Sequence, residues 1–385
     1  MTTPRLRPGL EGCEPYGAPE LKVPVRLNVN ENPYPPSEAV VAGIAAAAAQ
    51  AVAGANRYPD RDFPALREAL ADYLAVESGV RLPSERIWAA NGSNEVMLHV
   101  LQAFGGPERP CLSFAPTYAM YPEYARDTLT PFVTALRSAD FTLGPNGEAV
   151  AAVRAHRPAV VIVASPNNPT GTALPTDQLQ ALLDAARGNG PLDPQGRPTD
   201  ALVVVDEAYG EFRRPGVPSA LELLEDNPHL AVTRTMSKAF GMAGLRLGYL
   251  AAAPGVVDAL RVVRLPYHLS ALTQAAAVAA LDHREELMEQ VASLRAERDG
   301  LVAWLRAQGL TAHDSDANFV LFGPFADREA VWRDLLDHGV LIRVVGPDGY
   351  LRVSVGTPEE MGLFRAALTR ILSAPDHTTA QEAPA

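Results

Sequence analysis

Between residues 87 and 252, short apolar runs alternate with stretches of helical character, and no other feature restricts the possible folds as strongly. The runs lie at 87–90, 110–114, 159–164, 201–205, 230–235 and 247–252. The run at 159–164, Ala-Val-Val-Ile-Val-Ala, holds no polar residue, which predicts a strand covered on both faces. Such alternation predicts an α/β fold, a mostly parallel central sheet with helices on both sides. Open sheets of this kind bind ligands at the carboxyl ends of their strands. The residues that follow each run are therefore the candidates for chemistry.

A chain of 385 residues exceeds one ordinary core, which predicts two domains in one compact unit. Residues 1–36 are rich in proline and irregular, an N-terminal arm. A large domain is expected over 37–265, with helical patterns at 38–53 and 64–77 and with the 37–55 helix able to pack on the second domain. The smaller αβ domain is expected over 266–373. It opens with a long helical region at about 270–307 and continues with strands near 317–322, 340–344 and 350–355. The polar stretch 188–200 reads as a surface insertion, and the tail 374–385 reads as disordered.

Composition excludes several classes. With 47% hydrophobic and 20% charged residues, the chain has the make-up of a soluble globular protein. A formal charge of -12 argues against nucleic acid as a partner, because phosphate backbones need a basic face. A few arginines in a pocket can still hold a local anion. The longest apolar run, 39–55, contains Gln50 and two glycines and falls short of a membrane span. The first residues carry Arg5, Arg7 and several prolines but no apolar segment, so no secretory signal is expected. Cys13 and Cys111 form neither a disulfide framework nor a metal-ligand spacing, a pattern that fits a reducing cytoplasm. The histidines show no HExxH spacing and no cluster with cysteine, so no metal is expected. A GxSxG elbow, a Walker A loop and a GxGxxG after a strand are all missing from the sequence.

Four of the predicted strands end in polar groups: NGSNE (91–95), SPNNPTG (165–171), DEAY (206–209) and TMSKAFG (235–241). Each has an ordinary explanation. Asn91 to Asn94 can be a turn and helix cap with Glu95 in the first turn, Asp206 and Glu207 can cap a helix, and Lys238 can sit on the surface. Their occurrence on successive strands points instead to one shared ligand. Pyridoxal phosphate matches the set. Its aldehyde condenses with a lysine, and a carboxylate keeps its pyridine nitrogen protonated so that the ring draws electrons. Its phosphate suits helix N-terminal amides plus an arginine. Asn168 is placed to donate to the ring's phenolate oxygen, with the flanking prolines holding its aim. Arg246, in AGLRLGY, sits among apolar residues, where an unpaired guanidinium is expensive, so an anion is expected beside it.

These motifs, in this order, resemble the fold-type I aminotransferases of the aspartate aminotransferase superfamily. Within that superfamily, LNVNENP (27–33), RYPD (57–60), PTYAMY (116–121), ANFVLF (317–322) and LRVSVGT (351–357) resemble the histidinol-phosphate aminotransferases, over about residues 16–371. The resemblance implies that Lys238 is the Schiff-base lysine and proton shuttle and that Asp206 pairs with the pyridine nitrogen. It implies that Tyr209 and Asn168 hold the phenolate oxygen and that Tyr118 stacks on the ring. Ser93, Asn94, Thr235, Ser237 and Arg246 would surround the cofactor phosphate. Tyr16, Asn30, Arg343 and Arg352 would meet the substrate, the two arginines reading a phosphate in histidinol phosphate and a carboxylate in glutamate or 2-oxoglutarate. Tyr58 would cross to the other subunit of a homodimer and donate to its cofactor phosphate. A threonine-phosphate decarboxylase or an aromatic amino acid aminotransferase would share most of these residues. A cofactor-binding transcription regulator would need a DNA-binding segment ahead of LNVNENP, where only about two dozen residues stand, too few for a domain.

Overall fold

The computed structural model describes residues 4–17, 19–144 and 147–373. The expected disorder at 374–385 lies outside them. In chain order, the first part of the fold contains β1 (Val25–Arg26), α1 (Glu38–Ala53), α2 (Pro64–Glu77), β2 (Ile87–Ala90), α3 (Ser93–Phe104), β3 (Cys111–Ala115), α4 (Tyr121–Asp127) and β4 (Phe132–Leu136). Next come α5 (Glu148–His156), β5 (Val160–Ala164), α6 (Thr176–Ala186), β6 (Leu202–Asp206), β7 (Leu230–Thr235), β8 (Gly248–Ala252) and α7 (Pro254–Val263). The remainder is α8 (Ala271–Asp282), α9 (Arg284–Ala307), β9 (Thr311–Ala312), β10 (Phe319–Gly323), α10 (Arg328–Asp337), β11 (Val340–Leu341), β12 (Arg343–Val344), β13 (Leu351–Ser354) and α11 (Pro358–Leu372).

Among the described residues, a seven-stranded sheet runs in the order β2-β8-β7-β6-β5-β3-β4. Only β8 opposes its neighbours. The expected mostly parallel α/β sheet is what forms. Every residue of β5 and β6 is buried, because helices cover both faces. Each fully buried valine there contributes roughly 1.5–3 kcal/mol relative to exposure. The register sets Asp206 beside Ala164 of β5 and beside Thr233 of β7, so three of the polar strand ends meet at one edge.

Several expectations change. The edge strand β4 was not foreseen. Its residues are half-buried or exposed, and Thr134 interrupts the short apolar run Phe132–Leu136. The run expected as one strand at 340–344 is two: β11 pairs with β1, and β12 pairs with β13. That pairing draws the arm inward, and Val25 and Leu27 join the second hydrophobic core. The helical region at 270–307 breaks at His283, whose backbone leaves the helical range (φ -102, ψ 18). The alanine-rich helix α1 packs on the equally alanine-rich α8, and small side chains let such helices approach closely. Packing divides the cores inside α9: Leu287, Val291 and Leu294 belong to the first, Leu301, Val302 and Leu305 to the second. No helix among the described residues is long and apolar enough to cross a membrane.

Candidate active site

A cavity of about 380 Å³ opens at the carboxyl edge of the sheet, between the two cores. Of the residues singled out in the sequence, Tyr16, Asn30, Ser93, Asn94, Tyr118, Asn168, Asp206, Tyr209, Thr235, Ser237, Lys238, Arg246, Arg343 and Arg352 line it. Tyr58 does not. Although the chain carries a net negative charge, four cations, Lys238, Arg246, Arg343 and Arg352, face two carboxylates, Asp206 and Glu31, around this space. The cavity is built for anions.

Alternation along β6 separates the two acids at its end. Asp206 turns into the cavity, where its Oδ2 accepts from Tyr121 at 2.7 Å and its Oδ1 from Thr233 at 3.1 Å and the Ala208 amide at 3.2 Å. Burial raises its pKa, and the donors from Tyr121 and Thr233 oppose the rise. Glu207 turns away into a buried ionic cluster, 2.7 Å from Arg234 and from Ser219 Oγ.

Lys238 follows β7 and is half-buried, and its Nζ donates to the Val29 carbonyl at 3.0 Å. Desolvation first, then the charge of Arg352, lowers its pKa to about 8, while Glu31 works in the other direction. Nearby, Thr235 Oγ1 and Ser237 Oγ are 3.1 Å apart, and Arg246 Nη1 approaches Ser237 Oγ at 3.5 Å. Behind them lies the N-terminus of α3, whose first-turn amides at Ser93 and Asn94 have no intrahelical partner. Two glycines make this approach possible. A Cβ on Gly248 would lie 2.1 Å from the Ser93 nitrogen, and one on Gly92 would lie 2.7 Å from Arg246 Nη2. The result is a cradle of amides, hydroxyls and a guanidinium, the geometry that holds a phosphate. Arg246 itself is exposed at the cavity, not enclosed among apolar neighbours as its sequence context implied. Its left-handed backbone, φ 57, ends a helical turn at Leu245 and carries the residue out of the apolar layer.

The other cationic group comes from the second sheet. Arg343 and Arg352 are directly opposed across the β12–β13 ladder, and like charges so placed repel unless an anion lies between them. Arg352 is buried, donates to Asn168 Oδ1 at 2.5 Å and to the Asn28 carbonyl at 2.9 Å, and lies over Phe319. Its Nε and the Arg343 Nη1 are buried without a hydrogen-bond partner among the described residues. Burial lowers the pKa of Arg352 to about 10, and Arg343 adds to that effect. Asp348, five residues beyond Arg343 in the sequence, pairs with Arg328.

This arrangement of lysine, aspartate and phosphate cradle agrees with the chain as a whole. The family described as aminotransferase class I and II matches residues 22–368. The chain belongs to the class I and II aminotransferases. It is 58% identical to histidinol-phosphate aminotransferase 3 of Burkholderia lata over 96% of each chain, and 58% identical to the histidinol-phosphate aminotransferase of Thermobifida fusca over 94% of each. It is also similar to the crystal structure of histidinol-phosphate aminotransferase from Sinorhizobium meliloti in complex with pyridoxal-5'-phosphate. There the TM-score is 0.80 at 26% identity, covering 96% of this chain and 97% of that one.

In this aminotransferase, some side chains that shape the site escaped sequence reasoning. Tyr121 and Thr233 hold Asp206, and Ser354 accepts from the Asn30 amide at 2.9 Å and donates to its Oδ1 at 2.8 Å. Tyr121 had one legible signal, its place in the PTYAMY motif. Ser354 had a similar one, its place in the LRVSVGT motif, and Thr233 had none, since strand register alone brings it there. Asn167 and Asn168 divide the work of their turn. Asn167 is bonded to the Pro116 carbonyl and Thr170, while Asn168 faces the cavity between Arg352 and the Tyr209 hydroxyl.

Proposed function

We propose that this aminotransferase uses pyridoxal 5'-phosphate to exchange an amino group between histidinol phosphate and 2-oxoglutarate, giving imidazole acetol phosphate and glutamate, in histidine biosynthesis in the cytoplasm. The observation that carries this reading is the Arg343–Arg352 pair. It supplies a second anion site, on a different sheet from the cradle at α3 and Arg246. One site suits the cofactor's phosphate and the other the substrate's. The names of the relatives at 58% identity support the same substrate.

The residues present fit the cofactor: the glycine-lined cradle at α3 suits its phosphate, and the buried Asp206 suits a ring nitrogen that must stay protonated. Ser93, Asn94, Thr235, Ser237 and Arg246 would hold the phosphate, Tyr118 would cover the ring, and Tyr209 with Asn168 would hold its oxygen. When bound, the cofactor supplies an aldehyde that takes up the amino group and a ring that accepts electrons from the bond broken at the amine-bearing carbon. Lys238, with its lowered pKa, removes the proton from that carbon and returns one. Asp206 keeps the proton on the ring nitrogen. Asn30 orients the Tyr209 hydroxyl through a 3.0 Å hydrogen bond.

The test is to offer the purified protein histidinol phosphate, tyrosine and O-phosphothreonine with 2-oxoglutarate, following the cofactor's visible spectrum and carbon dioxide. Fastest glutamate formation from histidinol phosphate, without carbon dioxide, is expected. A preference for tyrosine, or release of carbon dioxide from O-phosphothreonine, would replace this reading with an aromatic aminotransferase or a decarboxylase.

The arginine pair makes a sharper demand. A charge-assisted hydrogen bond contributes roughly 1.5–3 kcal/mol, so Arg352→Ala or Arg343→Ala should lower kcat/KM for histidinol phosphate by about ten- to a hundredfold or more. Arg352→Ala should also impair glutamate, and Arg343→Ala should impair it less. Equal losses on histidinol phosphate and on histidinol would rule out phosphate readout.

The working unit in this reading is a homodimer with shared sites. Tyr58 supports it. The side chain is 79% exposed and stacks on Tyr267 with ring centroids 4.5 Å apart, away from its own cavity. Mixing Lys238→Ala subunits with Tyr58→Ala subunits, each impaired alone, should restore activity in mixed dimers that hold one site built from two intact halves. No recovery despite verified subunit exchange would remove the claim.

A further inference from the structure

The two carboxylates of the cavity are in different states. Asp206 is occupied by Tyr121, Thr233 and the Ala208 amide. Glu31 is exposed to the cavity, and its carboxylate makes no hydrogen bond or ion pair among the described residues. Its backbone, by contrast, is firmly anchored. Asn30 has a left-handed backbone, φ 57, tied to Ser354 and Tyr209. Asn318 donates to the carbonyls of Asn30 at 3.0 Å and of Glu31 at 3.4 Å. The Asn32 side chain donates to the Ala239 carbonyl at 3.1 Å and accepts from the Tyr34 amide at 3.0 Å.

An unpaired acid is a handicap in a cavity that must admit phosphates and carboxylates, unless the ligand also brings a donor. Histidinol phosphate brings one in its ring. Resting on the reaction proposed above, we propose that Glu31 is a specificity-determining residue that accepts a hydrogen bond from the imidazole N–H of the amino-donor substrate. The arginines then read the phosphate end of that molecule and Glu31 the azole end. Imidazole keeps at least one N–H in either protonation state, so the contact persists across the ring's titration and strengthens when the ring is cationic. Glu31 and Lys238 line the same cavity, and the carboxylate opposes the lowering of the amine's pKa. A phenyl ring offers Glu31 no N–H or O–H donor and leaves its charge uncompensated, which gives the site a means to favour an azole over a phenyl ring.

The test compares histidinol phosphate with phenylalaninol phosphate, which keeps the amine and phosphate but replaces imidazole by phenyl. In Glu31→Ala, the ratio of kcat/KM values for the two substrates should fall by about ten- to a hundredfold relative to wild type, with Glu31→Gln between them. An unchanged ratio overturns the proposal in any of its forms. Parallel losses on both substrates with a displaced pH titration of the cofactor absorbance would make Glu31 a modulator of Lys238. A weakened dimer at constant ratio would make it an interface residue. A wild-type enzyme that does not turn over histidinol phosphate would instead overturn the proposed reaction, and this inference with it.

Discussion

Alanine in place of Lys238 is expected to lower transamination by more than about a thousandfold, since positioned acid–base catalysis alone contributes roughly 10²–10⁴ and the covalent attachment point is lost as well. Burial and the neighbouring Arg352 bring the amine's pKa to about 8, against about 10.4 for an ordinary lysine. Near neutral pH, a useful fraction is therefore neutral and able to act as nucleophile and base. Borohydride reduction followed by peptide mass spectrometry should fix the cofactor to the peptide containing residue 238 in the wild type and to no peptide in the variant. The cradle at α3 is untouched by the change, so cofactor should still bind without a covalent link. Turnover near the wild-type rate in Lys238→Ala would show that another group carries the chemistry.

Asp206 should be the second most sensitive position. A carboxylate against the ring nitrogen raises that nitrogen's pKa, and its removal weakens the electron sink. Asp206→Ala should slow turnover by roughly a hundredfold or more and weaken cofactor binding. The variant also leaves the buried Tyr121 and Thr233 hydroxyls without their acceptor, a destabilisation of about 1–3 kcal/mol for each. Asp206→Asn separates the two effects, because its amide oxygen still accepts but it carries no charge. It should melt closer to wild type and remain slow. Nitrogen NMR of labelled cofactor should show a protonated ring nitrogen in the wild type and an unprotonated one in Asp206→Asn. The same protonation state in both would contradict the assignment.

Much of the fold was legible because it depends on local pattern. The covered strands β5 to β8 announce themselves as apolar runs, and the polar groups that follow β2, β5, β6 and β7 fall at the cavity edge because these four strands run in one direction and place their carboxyl ends together. The exposed edge strand β4 was not legible, since a strand with uncovered faces needs no unbroken apolar run. The split between β11 and β12 was hidden for a related reason. One apolar run serves two sheets, and only its partners, β1 and β13, decide where it divides.

What the chain determined by itself was the set of side chains that can do chemistry: the lysine after β7, the aspartate at the end of β6, the glycines and hydroxyls at α3, and the arginines near the C-terminus. These are matters of residue type and spacing over a few positions. Tertiary structure decided how they combine. Ser354 reaches Asn30 across 324 positions of sequence, Arg352 reaches Asn168 across 184, and strand register opposes Arg343 to Arg352. It also decided that Asn168 faces the cavity while Asn167 ties down the turn, and that Glu31, with no ion pair among the described residues, shares the cavity with four cations. Local pattern is written within about ten residues, whereas register and the meeting of remote segments follow from which surfaces bury each other, a property of the whole chain.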